Sequence, residues 1–238
     1  MKKDKKQRYF AEEIIYWWLK KMKMSAERQS ITNVMIGIPD DFNDTQTRAV
    51  VDAARVAGFK EGLQLRRNSV ASGYLYKLGE GYTCIIKWGG TMLYVALLQI
   101  SGHSRELRES FRQQLGGRDL DVLLARYLVK DRHLKHQLTF QSQASVHIPL
   151  FTGGVDLTLA MTQKILEKVE PILLQISLEF VKSSVQRCQV SNVILSGGSC
   201  FIPKVKDIIA GIFPGKKIHN SVLPSQCIVR GCTKMIKE

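Results

Sequence analysis

The 238-residue sequence contains no apolar run long enough to cross a bilayer. Its longest uncharged apolar stretch, Thr91 to Ile100, falls far short of the roughly 20 residues a membrane helix needs. The basic start, MKKDKKQRYF, leads into apolar residues broken by Lys20, Lys21 and Lys23, so it does not read as a signal peptide. Low-complexity tracts are missing. So are Cys-x-x-Cys pairs: the five cysteines, Cys84, Cys188, Cys200, Cys227 and Cys232, are odd in number and scattered. A zinc site or disulfide framework is therefore not expected. The cysteines read instead as small core residues in a reducing, cytosolic compartment. Acidic residues are scarce, 21 against 35 lysines and arginines, which leaves a formal charge of +14. Such a charge attracts polyanions such as RNA, ribosomes or acidic lipid surfaces. It is dispersed, however, and no zinc finger or aromatic-glycine RNA motif accompanies it. A solvated basic surface is the plainer reading, without sequence-specific nucleic-acid recognition or a membrane partner. Neither a hydrolytic triad nor a G-x-x-x-x-G-K-[ST] loop occurs, and the five histidines have no mutual spacing that suggests metal ligands.

What is present alternates between helical and strand periodicity, so the class is α/β. Ile14, Ile15, Trp18, Leu19 and Met22 recur at helical spacing. Residues Ile31 to Pro39 read as a mostly buried strand. Asn43 and Gln46 form a capping-box pattern before a helix with Val50, Ala53, Ala54 and Ala57 on one face and Gly58 at its end. A short strand at Leu63–Leu65 and a helix at Ser69–Lys77 follow. Apolar runs Tyr82–Lys87 and Met92–Ile100 flank Trp88-Gly89-Gly90-Thr91 and predict a hairpin. Gly116-Gly117 precede a helix from Asp119 to about Val129. Strands are expected at Ala144–Leu150 and Val155–Leu157. Pro171 divides a long helical pattern, because proline lacks the donor and clashes with the preceding turn. Ser191–Leu195 reads as a strand leading into Ser196-Gly197-Gly198-Ser199. Pro203 opens a helix with Val205, Ile208, Ile209 and Ile212 on one face, and a last helix runs from Ser225 to Ile236.

Glycine turns after strands let backbone N–H groups approach phosphate oxygens, although such turns are common in any α/β fold. The surrounding text is more specific. Val34-Met-Ile-Gly-Ile-Pro39, Phe42-Asn-Asp-Thr-Gln46, Ala53-Ala-Arg-Val-Ala-Gly58, Leu115-Gly-Gly-Arg-Asp-Leu-Asp121, Gln143-Ala-Ser-Val-His-Ile148 and Val193-Ile-Leu-Ser-Gly-Gly-Ser199 with Ile202-Pro-Lys204 occur in order. Together they resemble the nucleotide-binding domain of the 70-kDa heat-shock chaperone family. Lys87-Trp-Gly-Gly-Thr-Met-Leu-Tyr94 is similar to the hairpin of a divergent cytosolic branch that joins a ribosome-associated complex with a J-domain protein.

The resemblance implies an incomplete actin-like ATPase (ribonuclease H-like) fold. Residues 1–101 are expected to be a remnant of lobe I and 102–238 a reduced lobe II, with no peptide-binding domain. In the family, nucleotide lies between lobes, held by two phosphate hairpins and Mg²⁺. The expected contributors here are Gly89, Gly90, Thr91, Gly116, Gly117, Lys135, Gly197, Gly198 and Ser199, with Phe201 against adenosine. The first phosphate hairpin and the lysine that assists water attack are expected to lie outside this sequence. A helical insertion between Val129 and Arg132 is expected to be missing, and so is the segment beyond Glu238.

Other positions depart from the family pattern. Lys87 replaces the motif-opening aspartate, Arg67 an acidic residue near the metal, and Ser225 a later aspartate, while Gly231 is kept. Only Lys135 stays in register in Arg132-His-Leu-Lys-His136. Each lost acid or base costs roughly 10²–10⁴-fold in rate, and cations at a metal site repel Mg²⁺. The expectation is weak ATP or ADP binding at most, doubtful Mg²⁺, no catalytic residue, and a partner among ribosomes or J-domain co-chaperones. The alternatives are an ATPase completed by another chain and a partial gene product without independent function. Apolar sheet surface left uncovered is expected to make the chain marginal or to require a covering partner.

Overall fold

In a computed structural model, residues 9–27, 34–59, 62–119, 122, 143–152, 155–162 and 171–237 are described. Helix α1 (Ala11–Glu27) is followed by β1 (Val34–Ile38), α2 (Asp44–Val56), β2 (Leu63–Arg67) and α3 (Asn68–Tyr74). Strands β3 (Gly81–Trp88), β4 (Leu93–Ser101), β5 (Ser104–Gln113), β6 (Gln143–Thr152) and β7 (Val155–Thr162) come next. The chain closes with α4 (Pro171–Val185), β8 (Val190–Ser196), α5 (Pro203–Ile212), β9 (Lys217–His219) and α6 (Cys227–Lys237).

The capping box forms as the pattern requires. The Gln46 N–H donates to Asn43 Oδ1 at 2.8 Å, and the Asn43 N–H donates to Gln46 Oε1 at 3.0 Å. Helix α2 then buries Val50, Ala53 and Ala54. Gly58, at φ 98°, turns the chain out of the helix. Strands β1 and β2 pair in parallel, Val34 opposite Leu63 and Ile38 opposite Arg67. Their core joins Leu19, Ala53, Ala54, Ala57 and Phe59. Helix α1 exists as expected, but its apolar set divides: Leu19 is buried and Ile15 half-buried, while Ile14, Trp18 and Met22 face solvent.

The larger sheet runs β5-β4-β3-β8-β9. Its β3–β4 and β4–β5 pairs are antiparallel, and its β3–β8 and β8–β9 pairs are parallel. Both faces are covered, which explains the near-continuous apolar runs. Cys84, Ile86, Trp88, Val95, Leu97, Val193 and Leu195 pack with Leu174 and Val181 from α4, with Val205 and Ile209 from α5, and with Phe213 just after it. On the opposite face Ile85, Ala96, Leu98, Ile100 and Ile194 pack with Tyr76.

Several sequence expectations change. Strand β5 was not anticipated: SRELRESFRQ is too polar to announce itself, and it forms because β4 offers its edge. Short β9 was missed for the same reason. The boundary expected between residues 101 and 102 falls at the tight β4–β5 turn and would cut one continuous sheet. The helix expected from Asp119 to about Val129 begins at Gly117, and most of the residues expected in it lie outside the described ones. Pro171 opens α4, and the preceding helical stretch also lies outside them. Strands β6 and β7 pair with each other antiparallel.

Helix α6 returns across α3 and reaches β1. At the crossing, a Cβ on Gly231 would collide with the Ala71 carbonyl. Only glycine permits that approach.

Candidate phosphate cleft

The C-terminal ends of parallel strands are where open α/β sheets gather ligands. Here β1, β3 and β8 each end in a polar turn, and β2 runs directly into α3.

The two glycine turns expected from the sequence and the Gly116-Gly117 pair come together. The Gly89 N–H closes the β3–β4 hairpin onto the Met92 carbonyl at 2.9 Å. The Gly89 carbonyl accepts from the Gly117 N–H at 3.0 Å and from Ser199 Oγ at 3.0 Å. The Gly90 carbonyl accepts from the Arg118 N–H at 2.6 Å. A Cβ on Gly116 would stand 2.5 Å from the Gly90 backbone. Gly197, at φ 89°, lies where any Cβ would strike the Trp88 carbonyl, and its N–H donates to the Pro224 carbonyl at 2.9 Å. Gly90, Thr91 and Gly198 remain exposed. Much of this glycine content therefore serves to knit the three turns into one another. Ser199 and the Gly89 N–H, expected to meet phosphate, are engaged within the protein. Phe201 sits half-buried in the 3₁₀ turn Gly198–Phe201. Lys135 lies outside the described residues.

Beside the turns sits a network of charges that the sequence reading found only in part. Lys87, at the end of β3, places its ammonium 5.4 Å from the centre of the Tyr94 ring, its cross-strand neighbour. Burial lowers its pKa, opposed by attraction from Asp40 and then Asp41. Arg67, at the end of β2, donates to the Pro39 carbonyl at 2.9 Å and the Phe42 carbonyl at 2.8 Å, holding the turn after β1. Within that turn Asp40 Oδ1 accepts from the Ser69 N–H at 3.0 Å and from Ser69 Oγ at 2.8 Å. Burial raises the Asp40 pKa, against these two hydrogen bonds and the nearby Lys87 and Arg67. Asp41 Oδ2 forms an ion pair with Arg112 of β5, and its Oδ1 is buried without a hydrogen-bond partner.

Asp40 and Asp41 were not singled out from the sequence. Their signal was available: two adjacent carboxylates directly after an apolar strand pattern, between Pro39 and Phe42.

The residues present do not fit Mg²⁺. Magnesium wants near-octahedral oxygen ligation. Asp40 Oδ1 is held by Ser69 and Asp41 Oδ2 by Arg112, which leaves Asp41 Oδ1 as the buried oxygen without a partner, and Lys87, Arg67 and Arg112 supply three cations against two carboxylates. Among the described residues, no group of three His, Cys, Asp or Glu side chains could hold a metal. No helix among them is long and apolar enough to cross a membrane.

A family model described as Hsp70 protein matches residues 1–148 and 132–236. A ribosome-associated molecular chaperone of Nakaseomyces delphensis is 26% identical over 258 residues, covering 92% of this chain and 42% of the relative. The ribosome-associated molecular chaperone of the same name in Saccharomyces cerevisiae is 28% identical over 258 residues, with the same coverage of 92% and 42%. A heat shock 70 kDa protein of Neurospora crassa is 27% identical over 257 residues, covering 92% of this chain and 40% of the relative. The chain thus spans about two-fifths of the length of these curated relatives, 40–42%. With its six ordered motifs, its interlocked glycine turns and a family match that runs along nearly its whole length, the chain belongs to the Hsp70 protein family.

Proposed function

We propose that this chain is a non-hydrolysing Hsp70-family module of the actin-like class. Its cleft is held by its own side chains, and its role lies in association with a ribosome or a J-domain co-chaperone in the cytosol. The observation that carries the reading is the network Asp40–Ser69, Asp41–Arg112 and Lys87 at the strand ends. Hydrolysis of a phosphoanhydride needs developing charge neutralised and a water positioned. Here one oxygen of each carboxylate that would hold a metal instead binds a side chain of the chain itself, Ser69 or Arg112, and the neighbouring cations outnumber the carboxylates. Exposed Gly90, Thr91 and Gly198 leave room for a phosphate-bearing ligand to touch the turns, so weak ATP or ADP contact is part of the proposal. A formal charge of +14 supports a polyanionic docking site, and the names of the two ribosome-associated relatives point to the ribosome.

Phosphate release from Mg²⁺-ATP, alone and with a J-domain protein, is the direct test. Turnover at blank level agrees with the proposal. Release above blank would replace it with a working ATPase completed by another chain. The docking half is tested by co-sedimentation with ribosomes, expected to weaken steeply as salt rises. Indifference to ribosomes at low salt would remove it.

A further inference from the structure

Helix α1 carries apolar residues on two faces. One side buries Leu19 and packs on α2. The other presents Phe10, Ile14, Trp17, Lys21 and Met24, spaced alternately four and three residues apart, the stripe by which helices pair. Its four apolar members are 77%, 51%, 58% and 62% exposed. Trp18, 67% exposed, broadens the stripe toward a groove floored by Val34 and Ile36 of β1. A contiguous aromatic face of this kind on a soluble chain marks a contact surface.

The charges beside the stripe say what covers it. Glu13 and Lys20 are seven residues apart, on the same flank, with Trp17 between them. A helix crossing this one antiparallel near Trp17 would need lysine opposite Glu13 and glutamate opposite Lys20. Helix α1 is itself such a sequence. Glu13 keeps one carboxylate oxygen beyond the one that accepts from the Phe10 N–H at 2.7 Å. The Lys20 ammonium already leans over the flank, 5.7 Å from the Trp17 ring centre and 5.5 Å from that of Tyr16. A two-fold axis makes every contact twice, so one complementary pair becomes two.

We propose that α1 is a self-complementary docking surface whose occupant is a second copy of this chain, crossing antiparallel at Trp17 with Glu13 and Lys20 paired reciprocally. Lys21, within the stripe, extends its apolar stem along the seam and keeps its ammonium at the rim. A bilayer is the less fitting occupant, because it fixes no cation in register opposite Glu13.

Sedimentation equilibrium of the full chain, with Lys20→Glu and the exchanged pair Glu13→Lys/Lys20→Glu, tests this. The expected result is a discrete dimer for the native chain. Lys20→Glu sets glutamate against glutamate across the axis and should weaken the dimer at least about tenfold. The exchanged pair should restore it, with circular dichroism confirming that all three chains fold. A chain that stays monomeric at high micromolar concentration overturns the proposal, as does an open-ended aggregate in place of a dimer. So does a single variant that dimerises as well as the native chain, or an exchanged pair that fails to recover. Binding of the monomer to anionic vesicles through α1 would also count against it.

Discussion

Gly197 shows how one residue can hold several turns in place. Its φ of 89° lies in the left-handed region, and its α-hydrogen faces the Trp88 carbonyl. Gly197→Ala combines backbone strain with a steric clash and should cost about 3 kcal/mol, read as a lower urea midpoint. Asp40 makes a different prediction. Burial raises its pKa above the ordinary value of 3.8, so the folded state keeps this proton to higher pH than the unfolded chain does. More protons bound when folded means that stability falls as pH rises through that window, from about pH 4 up to the raised value. Asp40→Asn should flatten this slope in urea titrations taken across mildly acidic pH. An unchanged slope would mean that Asp40 is solvated and ordinary.

Elements built from local signals form as their residues require. The capping box before α2 satisfies two orphan N–H groups with side chains three residues apart, so no distant partner is involved. Asn43→Ala should cost about 1 kcal/mol, visible in thermal melts as a lower midpoint without loss of fold. Strand β5 is the opposite case. Its residues alternate in exposure, but with few apolar anchors the alternation gave no warning. Hydrogen bonding to β4 creates the strand, and β4 is a strand because both its faces are buried. Helix α1 lies between the two cases. Its periodicity was legible, but which of its apolar residues would be buried depended on where α2 lay.

At the scale of the whole molecule, the crossing of α6 over α3 ties the end of the chain to the β1–β2 unit. Gly231→Leu would force the helices apart at Ala71. It should destabilise by about 3 kcal/mol and leave α6 the first segment to gain amide exchange. His219 of β9 extends the large sheet at its edge, with Nε2 3.2 Å from Asn192 Oδ1 and its ring 4.8 Å from that of Tyr76. Burial, and then Lys217, lower its pKa below 6.5. The folded state therefore binds fewer protons than the unfolded one in that window, and stability is lost as pH falls from 6.5 through the depressed value. His219→Gln, which keeps a donor for Asn192, should remove this acid sensitivity in melts recorded between about pH 7 and pH 5.

The six ordered motifs, the α/β alternation, the hairpin at Gly89-Gly90 and the cations at positions 67 and 87 were all legible along the chain. Each depends on neighbours a few residues away, on backbone freedom or on side-chain charge, and those properties travel with the sequence. The sequence alone could not reveal that the glycine turns spend their N–H and carbonyl groups on one another, or that one sheet runs past residue 101. Nor could it reveal that Asp40 and Asp41 answer the cations beside them. Those outcomes bring together residues dozens of positions apart, Asp41 with Arg112 and Gly89 with Ser199. Whether such groups meet is decided by how buried faces pack, and that is settled only once the chain has closed on itself.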